Sequence, residues 1–583
     1  MKVRASGPKS NVSLAAIGMS PQKWEVGGGT PFVGPSGKIF NEALATQKIH
    51  RTSVYVTNLC EFYIDDNDLY SVPKEIMDIE RQRVFRELET VQPNCLIIMG
   101  GDTLDLLTAT SIITKYNRKT GAPYLVTIGS KSGITKWRGS IISLTLPNGR
   151  SQKCVVAMHP AAFIRGQWKW LPLYKYIDVP RAVIQSSFPE VRVTKREAIV
   201  GPSFRTACDW LREANQQPWV SIDYEGRKHI TCLGSGWTAS QALCIPISRV
   251  GNPSYWTMTE ELEIWRLWCA LLQNPKVKKI AQNAAYEWIK SWLYGIYPNP
   301  LGCDTMHMHH CLYPDFGGIM DEWSKRKRDI DNPGHGLALL TSQYTDQPYY
   351  KDDGRHWTPE LGEELFWQYN CTDVMVTFEI AMKEISELRG LGLWDTYIQN
   401  YLTPFEPSMR MEWYGVLQDI ARRDAARITM KQEIGDYAAK LKGLTGYEII
   451  TKAEKKGGKP KPGILNLASP KQMQHWLYVE KGYKARVNRK TGNVTVDKDA
   501  IQALAIHHND DSLRIITKMK QAQDLINDVI DAKVDEAGCL HCHHKLGGTN
   551  GTRWSTTESI LGSGTNLQNL PRQGIARSLF LPG

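Results

Sequence analysis

The sequence has no run of eighteen apolar residues, which excludes a hydrophobic membrane-spanning helix. Its first residues, Met1-Lys2-Val3-Arg4-Ala5-Ser6, lack the apolar core of a signal peptide. Cysteine is sparse and unpatterned, 12 in 583 residues, so no disulfide framework is read and a reducing cytosol is expected. There is no internal repeat, which excludes a solenoid. Neither sign of charge dominates: Lys and Arg number 71 against 60 Asp and Glu, and the resulting +11 mildly favours a polyanionic partner. What is present is an ordinary globular composition, 42% apolar and 22% charged. A chain of this length is too long for one core. The expected architecture is α/β and multidomain, with boundaries at 1–190, 191–392 and 393–583.

Trp219-Val220-Ser221-Ile222-Asp223-Tyr224-Glu225-Gly226 stands out first. An apolar run leads into two carboxylates one residue apart. On a strand both point to the same face. Two adjacent unpaired carboxylates repel unless a cation lies between them.

Residues 1–190 alternate strand and helix patterns: strands over Val12–Ile17, Val54–Asn58 and Cys95–Gly101, and a helix over Pro73–Thr90. This predicts a parallel sheet covered by helices, with ligands at the carboxyl ends of its strands. Three features fall at such ends: the string Gly27 to Lys38 with Pro31-Phe32-Val33-Gly34-Pro35-Ser36-Gly37-Lys38, then Asn58, then Met158-His159-Pro160-Ala161. Together they resemble the motifs of family 4/5 uracil-DNA glycosylases. The resemblance implies that Phe32 stacks on a flipped base, Asn58 reads its edge and His159 stabilises the departing uracil anion. Two features depart from it. Gly18-Met19-Ser20-Pro21 has no acid to position water, and the four iron–sulfur cysteines are missing: there is no cysteine pair before Val12, and Ile79 stands near where another is expected. The expectation is a glycosylase-like fold without an iron–sulfur cluster, kept for DNA binding or architecture.

Proline and mixed charge near 186–205 mark a boundary. Beyond the Asp223/Glu225 strand, residues 229–248 predict antiparallel strands. A strand then feeds a helix near Asn283, with Asn283 and Glu287 four apart on one helix face, and Asp304 follows. Tyr369 and Asp373 share a helix face in the same way. Hard divalent ions take such oxygen ligands, and two of them flanking a phosphodiester suit its cleavage. In this order the motifs resemble the 3′–5′ proofreading exonuclease of DNA polymerases, a ribonuclease-H-like domain. The resemblance implies catalytic roles for Asp223, Glu225, Glu287, Tyr369 and Asp373. The four acids would hold two Mg2+ or Mn2+ ions, and Asn283 would contact the DNA single strand. Glu287 departs from the family's Asp by one methylene. Gly334-His335-Gly336-Leu337-Ala338 and Tyr349-Tyr350-Lys351-Asp352 resemble stretches of the phage members, implying the cytoplasm of a phage-infected bacterium. The run Ser324-Lys325-Arg326-Lys327-Arg328 is a candidate phosphate grip.

From 393 on, Met411 to Asp419 and Asn466-Leu467-Ala468-Ser469-Pro470-Lys471-Gln472 resemble family A DNA polymerases. Ser469 suits an N-cap with Pro470 at the first helical position. Residues 500–533 read as the amphipathic helices of a thumb. Cys539-Leu540-His541-Cys542-His543-His544 reads as a strand rather than a zinc site, since no second ligand pair follows at finger spacing. Thr552-Arg553, Asn566-Leu567-Gln568-Asn569-Leu570-Pro571-Arg572 and Arg577 resemble motifs that hold primer and template. The resemblance therefore implies DNA contacts by Arg553, Asn566, Gln568, Asn569, Arg572 and Arg577 in a partial palm. The family's polymerising carboxylates are expected on a second polypeptide. A free-standing exonuclease with a polymerase remnant, or a non-catalytic DNA-binding replication scaffold, stay open as alternatives.

Overall fold

The computed structural model describes residues 2–117, 120–226, 228–251, 254–318, 334–451, 463–488, 492–570 and 575–581. They form two compact units: residues 1–403 with 549–552, and residues 404–548 with 553–583. No described helix is long and apolar enough to cross a membrane.

The first unit contains two sheets. Strands β1 (Leu14–Gly18), β2 (Tyr55–Asn58) and β3 (Cys95–Met99) are followed by an exposed hairpin, β4 (Ser111–Tyr116) and β5 (Pro123–Ile128), and then by β6 (Ile141–Thr145) and β7 (Ser151–Ala157). The sheet order is β2-β1-β3-β7-β6, parallel except for β6. Both faces are covered. Ala15, Ile17, Leu96 and Ile98 enter one core with Met77, Val84 and Leu88 of the helix Lys74–Val91. Leu14, Ala16, Ile97 and Met99 enter the other with Phe40 and Leu44 of the helix Pro35–Thr46. Strands buried on both sides need the continuous apolar runs seen in the sequence.

The second sheet is built from β8 (Glu197–Ile199), β9 (Trp219–Glu225), β10 (Cys232–Gly236), β11 (Gln241–Pro246), β12 (Lys278–Ala281) and β13 (Leu301–Asp304). Its order is β13-β12-β9-β10-β11-β8. Strands β9, β10 and β11 run antiparallel, as expected for 229–248, while β12 pairs parallel to β9. The 28-residue helix Glu363–Gly390 buries Cys371, Val374 and Met375 against Cys232, Ala242 and Cys244 of this sheet.

A buried ion pair inside the first sheet domain reaches across to the second. Arg138 Nε donates to both oxygens of Asp178 at 3.1 Å, and both side chains are almost wholly excluded from water. Arg138 Nη1 continues to Ser342 Oγ at 2.9 Å.

The second unit is mostly helical. Asp419 caps the helix Ile420–Thr445 by accepting from the Arg422 amide at 3.0 Å. The helices Lys498–His507 and Asp511–Leu525 occupy the predicted thumb region and share a core of Leu441, Met473, Ile501, Leu504, Leu513 and Ile516. Ser469 caps Pro470–Gln474 as its sequence implies. Cys539–Leu540 and His543–Lys545 are short strands. His541, between them, and His543, opening the second, both reach the buried Glu412. Its carboxylate lies 2.7 Å from His543 Nδ1 and accepts from Ser559 Oγ (2.7 Å) and the Ile560 amide (2.9 Å).

Candidate active site

Asp223 and Glu225 sit two residues apart on β9 and share a face. Asp223 pairs across the sheet with Gly234 of β10. A Cβ at Gly234 would lie 2.3 Å from Asn370 Oδ1 and 2.8 Å from Val374 Cγ2, so only glycine lets the long helix approach this closely. The approach brings Asn370 Nδ2 to Asp223 Oδ2 at 2.7 Å. One turn on, Asp373 joins the two strand acids: one oxygen of each of Asp223, Glu225 and Asp373 falls within 4.8 Å of the others. Three hard oxygen donors from two distant segments, packed this tightly, suit a divalent cation.

Asp373 is also held from a third segment. One of its oxygens accepts from the Tyr350 hydroxyl, and both accept from Lys351 Nζ, at 2.7 and 2.9 Å. Tyr369, four residues before Asp373, lies beneath Lys351, whose ammonium is 4.6 Å from its ring centre. Burial, then the Asp373 charge, raises the Tyr369 phenol, so it stays protonated at neutral pH.

Glu287 is buried and close enough for the Asp223 charge to act on it, but it stands outside the 4.8 Å cluster, and its Oε2 has no hydrogen-bond partner among the described residues. Asn283 corrects the sequence expectation. The helix begins only at Ala285, so Asn283 does not share a helical face with Glu287. Asp304 receives the amides of Asn283 (3.1 Å) and Ala284 (2.8 Å) and pins the chain in a turn in which Asn283 has φ +62°. Asp304 also caps the helix Thr305–Leu312, so its role is structural. Asn370, Tyr350 and Lys351 carried no assigned role in the sequence. For Tyr350 and Lys351 the only signal is the Tyr-Tyr-Lys-Asp string, and for Asn370 its place beside Tyr369.

Burial and mutual repulsion dominate the electrostatics. Asp223 is pushed up to about 8, by burial first and Asp373 second. Burial, then Asp223, holds both Glu225 and Glu287 well above the carboxylate range. A carboxyl raised in the folded state is neutral there while already ionised in the unfolded chain, so its contribution to stability is lost as pH rises between the two values. For Asp223 the window runs from 3.8 to about 8. In EDTA, the melting temperature of the wild type should therefore fall from pH 5 to 8 more steeply than that of Asp223→Asn. Equal slopes by calorimetry would contradict this.

Gly234→Ala tests the close approach. The added methyl must displace Asn370 or Val374, and overpacking of this kind costs about 1–3 kcal/mol. The variant should melt lower and lose its Asn370–Asp223 hydrogen bond. Wild-type melting and an unchanged amide environment at Asn370 by NMR would refute it.

A second constellation lies at the strand ends of the first sheet. Phe32, with φ +59°, and Asn58 flank Gly18, where a Cβ would be 2.5 Å from the Phe32 ring and 2.7 Å from Asn58 Oδ1. The His159 ring centre is 5.8 Å from that of Phe32. The three expected pocket residues thus converge. His159 Nδ1 accepts from the Ala161 amide at 3.2 Å, which leaves the imidazole proton on Nε2. Burial, then Arg165, lowers this histidine to about 4, so it is neutral. Asn58 Nδ2 is buried without a partner among the described residues.

In the second unit, Asn566 accepts from the Gln568 amide at 3.1 Å, and Gln568 Nε2 donates to the Trp554 carbonyl at 3.0 Å. Arg553 and Arg577 are exposed. Arg572, the Asn569 side chain and the basic run 324–328 lie outside the described residues.

Residues 5–175 match the uracil DNA glycosylase superfamily. The type-4 uracil-DNA glycosylase of Archaeoglobus fulgidus is 33% identical over 87 residues, 15% of this chain and 43% of that protein. The DNA polymerase of Bacillus phage SP01 is 20% identical over 615 residues, covering 94% of this chain and 61% of that protein. The DNA polymerase I of Rhizobium leguminosarum is 26% identical over 312 residues, 52% of this chain and 27% of that protein. A solved structure of the POL domain of Pol1 from M. smegmatis, in complex with DNA primer-template and dNTP, aligns at a TM-score of 0.47 and 18% identity over 66% of this chain and 59% of that one. The chain is thus mixed α/β, similar to uracil-DNA glycosylases over its first 175 residues and to a phage DNA polymerase along most of its length. The chain spans 27% of the length of the bacterial polymerase and 61% of that of the phage polymerase.

Proposed function

We propose that the chain removes nucleotides from DNA 3′ ends in a metal-dependent reaction and so proofreads for a family A-type polymerase. The observation that carries this is the meeting of Asp223, Glu225 and Asp373 within 4.8 Å. Mg2+ or Mn2+ bound there would activate a water and stabilise the leaving 3′ oxygen. The chain's own residues do the rest. Asn370 fixes the Asp223 rotamer, Tyr350 and Lys351 fix Asp373, and the Tyr369 phenol orients water by a hydrogen bond. Glu287 is the fourth acid of this proposed set. The test is trimming of a 5′-labelled single strand with Mg2+ or Mn2+. It should stop in EDTA, and trimming that continues there would sink the proposal.

The kinship with polymerases extends the proposal. Arg553, Asn566, Gln568, Asn569, Arg572 and Arg577 would contact primer and template, and Asn283 the single strand.

The glycosylase-like domain reads best as a binder of bases that does not cut them. Neutral His159 and the unpartnered Asn58 amide offer donors to a base edge. No acid follows Gly18, and both Glu25 oxygens are already engaged by the amides of Gln22 (2.8 Å) and Val33 (3.2 Å). Purified protein should release no uracil from DNA. Abasic sites that form with the wild type and not with His159→Ala would overturn this reading.

A further inference from the structure

The segment between the helix Leu337–Tyr344 and the short helix Lys351–Arg355 touches both sheet domains. Tyr349 and Asp352 face the glycosylase-like domain. The Tyr349 amide donates to Ser140 Oγ at 3.1 Å, its ring meets Trp137 edge-on at 5.4 Å, and Asp352 pairs with Lys136 Nζ at 3.0 Å. The two residues between them turn the other way. Tyr350 and Lys351 bond to Asp373, and the Lys351 ammonium also feels Asp223 and Glu225. Upstream, Asp346 is tied to Arg196 at 2.8 Å and to the Thr194 amide at 2.6 Å. The strap is therefore held on both sides of the residues it delivers.

We propose that Lys351 is a built-in counter-cation of the carboxylate cluster, that Tyr350 and Lys351 are positioning residues for Asp373, and that the glycosylase-like domain holds both in place. This rests on the exonuclease reading and gives the first domain a task that needs no base in its pocket. The physical reason is charge and position together. A fixed ammonium 2.7 Å from Asp373 opposes the arrival of further cations. The same ammonium and the Tyr350 hydroxyl keep Asp373 from swinging away from the strand acids. Removing the lysine should therefore move two observables in opposite directions: affinity for a divalent ion rises while turnover falls.

The experiment uses the full chain and titrates Mn2+ without DNA, by calorimetry or electron paramagnetic resonance, beside single-strand trimming at saturating metal. Lys351→Met should bind Mn2+ about tenfold more tightly and trim at least about tenfold more slowly, with Lys351→Arg close to wild type in both. Lys136→Glu, which repels Asp352 at the far side of the strap, should shift both in the same sense by about threefold. The exchanged pair Lys136→Glu with Asp352→Lys should restore them. If Lys351→Met lowers affinity and turnover together, the lysine is only structural and the proposal fails. If wild-type values persist in Lys351→Met, or in Lys136→Glu, the counter-cation or the domain's hold on it is refuted while the exonuclease stands. If the wild type binds no Mn2+ at all, the exonuclease reading falls and this inference falls with it.

Discussion

Asp223→Ala is expected to slow 3′-end trimming by about a thousandfold or more, equivalent to about 4 kcal/mol of transition-state stabilisation. Asp223 belongs to the cluster, bonded to Asn370 and two residues from Glu225, so its loss removes a cation ligand and the anchor of Asn370. Asp373→Asn should cost a similar factor. The double variant should be scarcely worse than either, because ligands of one centre act as a unit. A second readout separates catalysis from folding. Asp223 is a buried acid among like charges, so Asp223→Ala should not lower the melting temperature in EDTA at pH 8. Trimming within threefold of wild type by either single variant would place the nuclease elsewhere.

Arg138→Ala should be the most damaging substitution for stability. The guanidinium is buried, bonds Asp178 through two nitrogens and reaches Ser342 in the neighbouring sheet domain. Breaking a buried pair from one side strands the other charge, at a cost of about 3–5 kcal/mol. A shift of about 2–4 °C per kcal/mol, typical of domains of 150–250 residues, makes this a fall of roughly 10 °C in the melting temperature of the first unit. Replacing both partners with apolar residues of similar volume should recover much of the loss, because the uncompensated charge goes with them. The Arg181 guanidinium, lowered to about 10 by burial and then by Arg138, remains as a neighbour, so the recovery should be partial. Calorimetry of the wild type, Arg138→Ala and the apolar double variant decides it. A fall under 3 °C for Arg138→Ala would show that water reaches the pair or that Asp178 finds another partner.

Much of the fold was legible in the sequence because its signals are local. The buried parallel strands near 14–18, 55–58 and 95–99 come from apolar runs, and the helices Lys498–His507 and Asp511–Leu525 from their amphipathic period. Asp223 and Glu225 share a face through strand pleat alone, and Tyr369 and Asp373 lie four apart on one helix. Asn283 shows where local reasoning stops. Its spacing from Glu287 suggests a helix face, yet two hydrogen bonds to Asp304, twenty-one residues on, hold it outside the helix. Tyr350 and Lys351 had no role until their segment was seen strapped between Ser140, Lys136 and Asp373.

Residue order alone determined the strands, the helices and the inventory of acids, since period, capping and charge are properties of neighbouring residues. Only the tertiary structure decided which acids meet. Gly234 admits the long helix to within bonding distance of Asp223, and a strap held by the first domain brings a lysine into the cluster. The contacts of Asn370 with Asp223 and of Lys136 with Asp352 join residues more than a hundred positions apart, and their energy lies in burial and in charges compensated across the fold, which no stretch of chain encodes by itself.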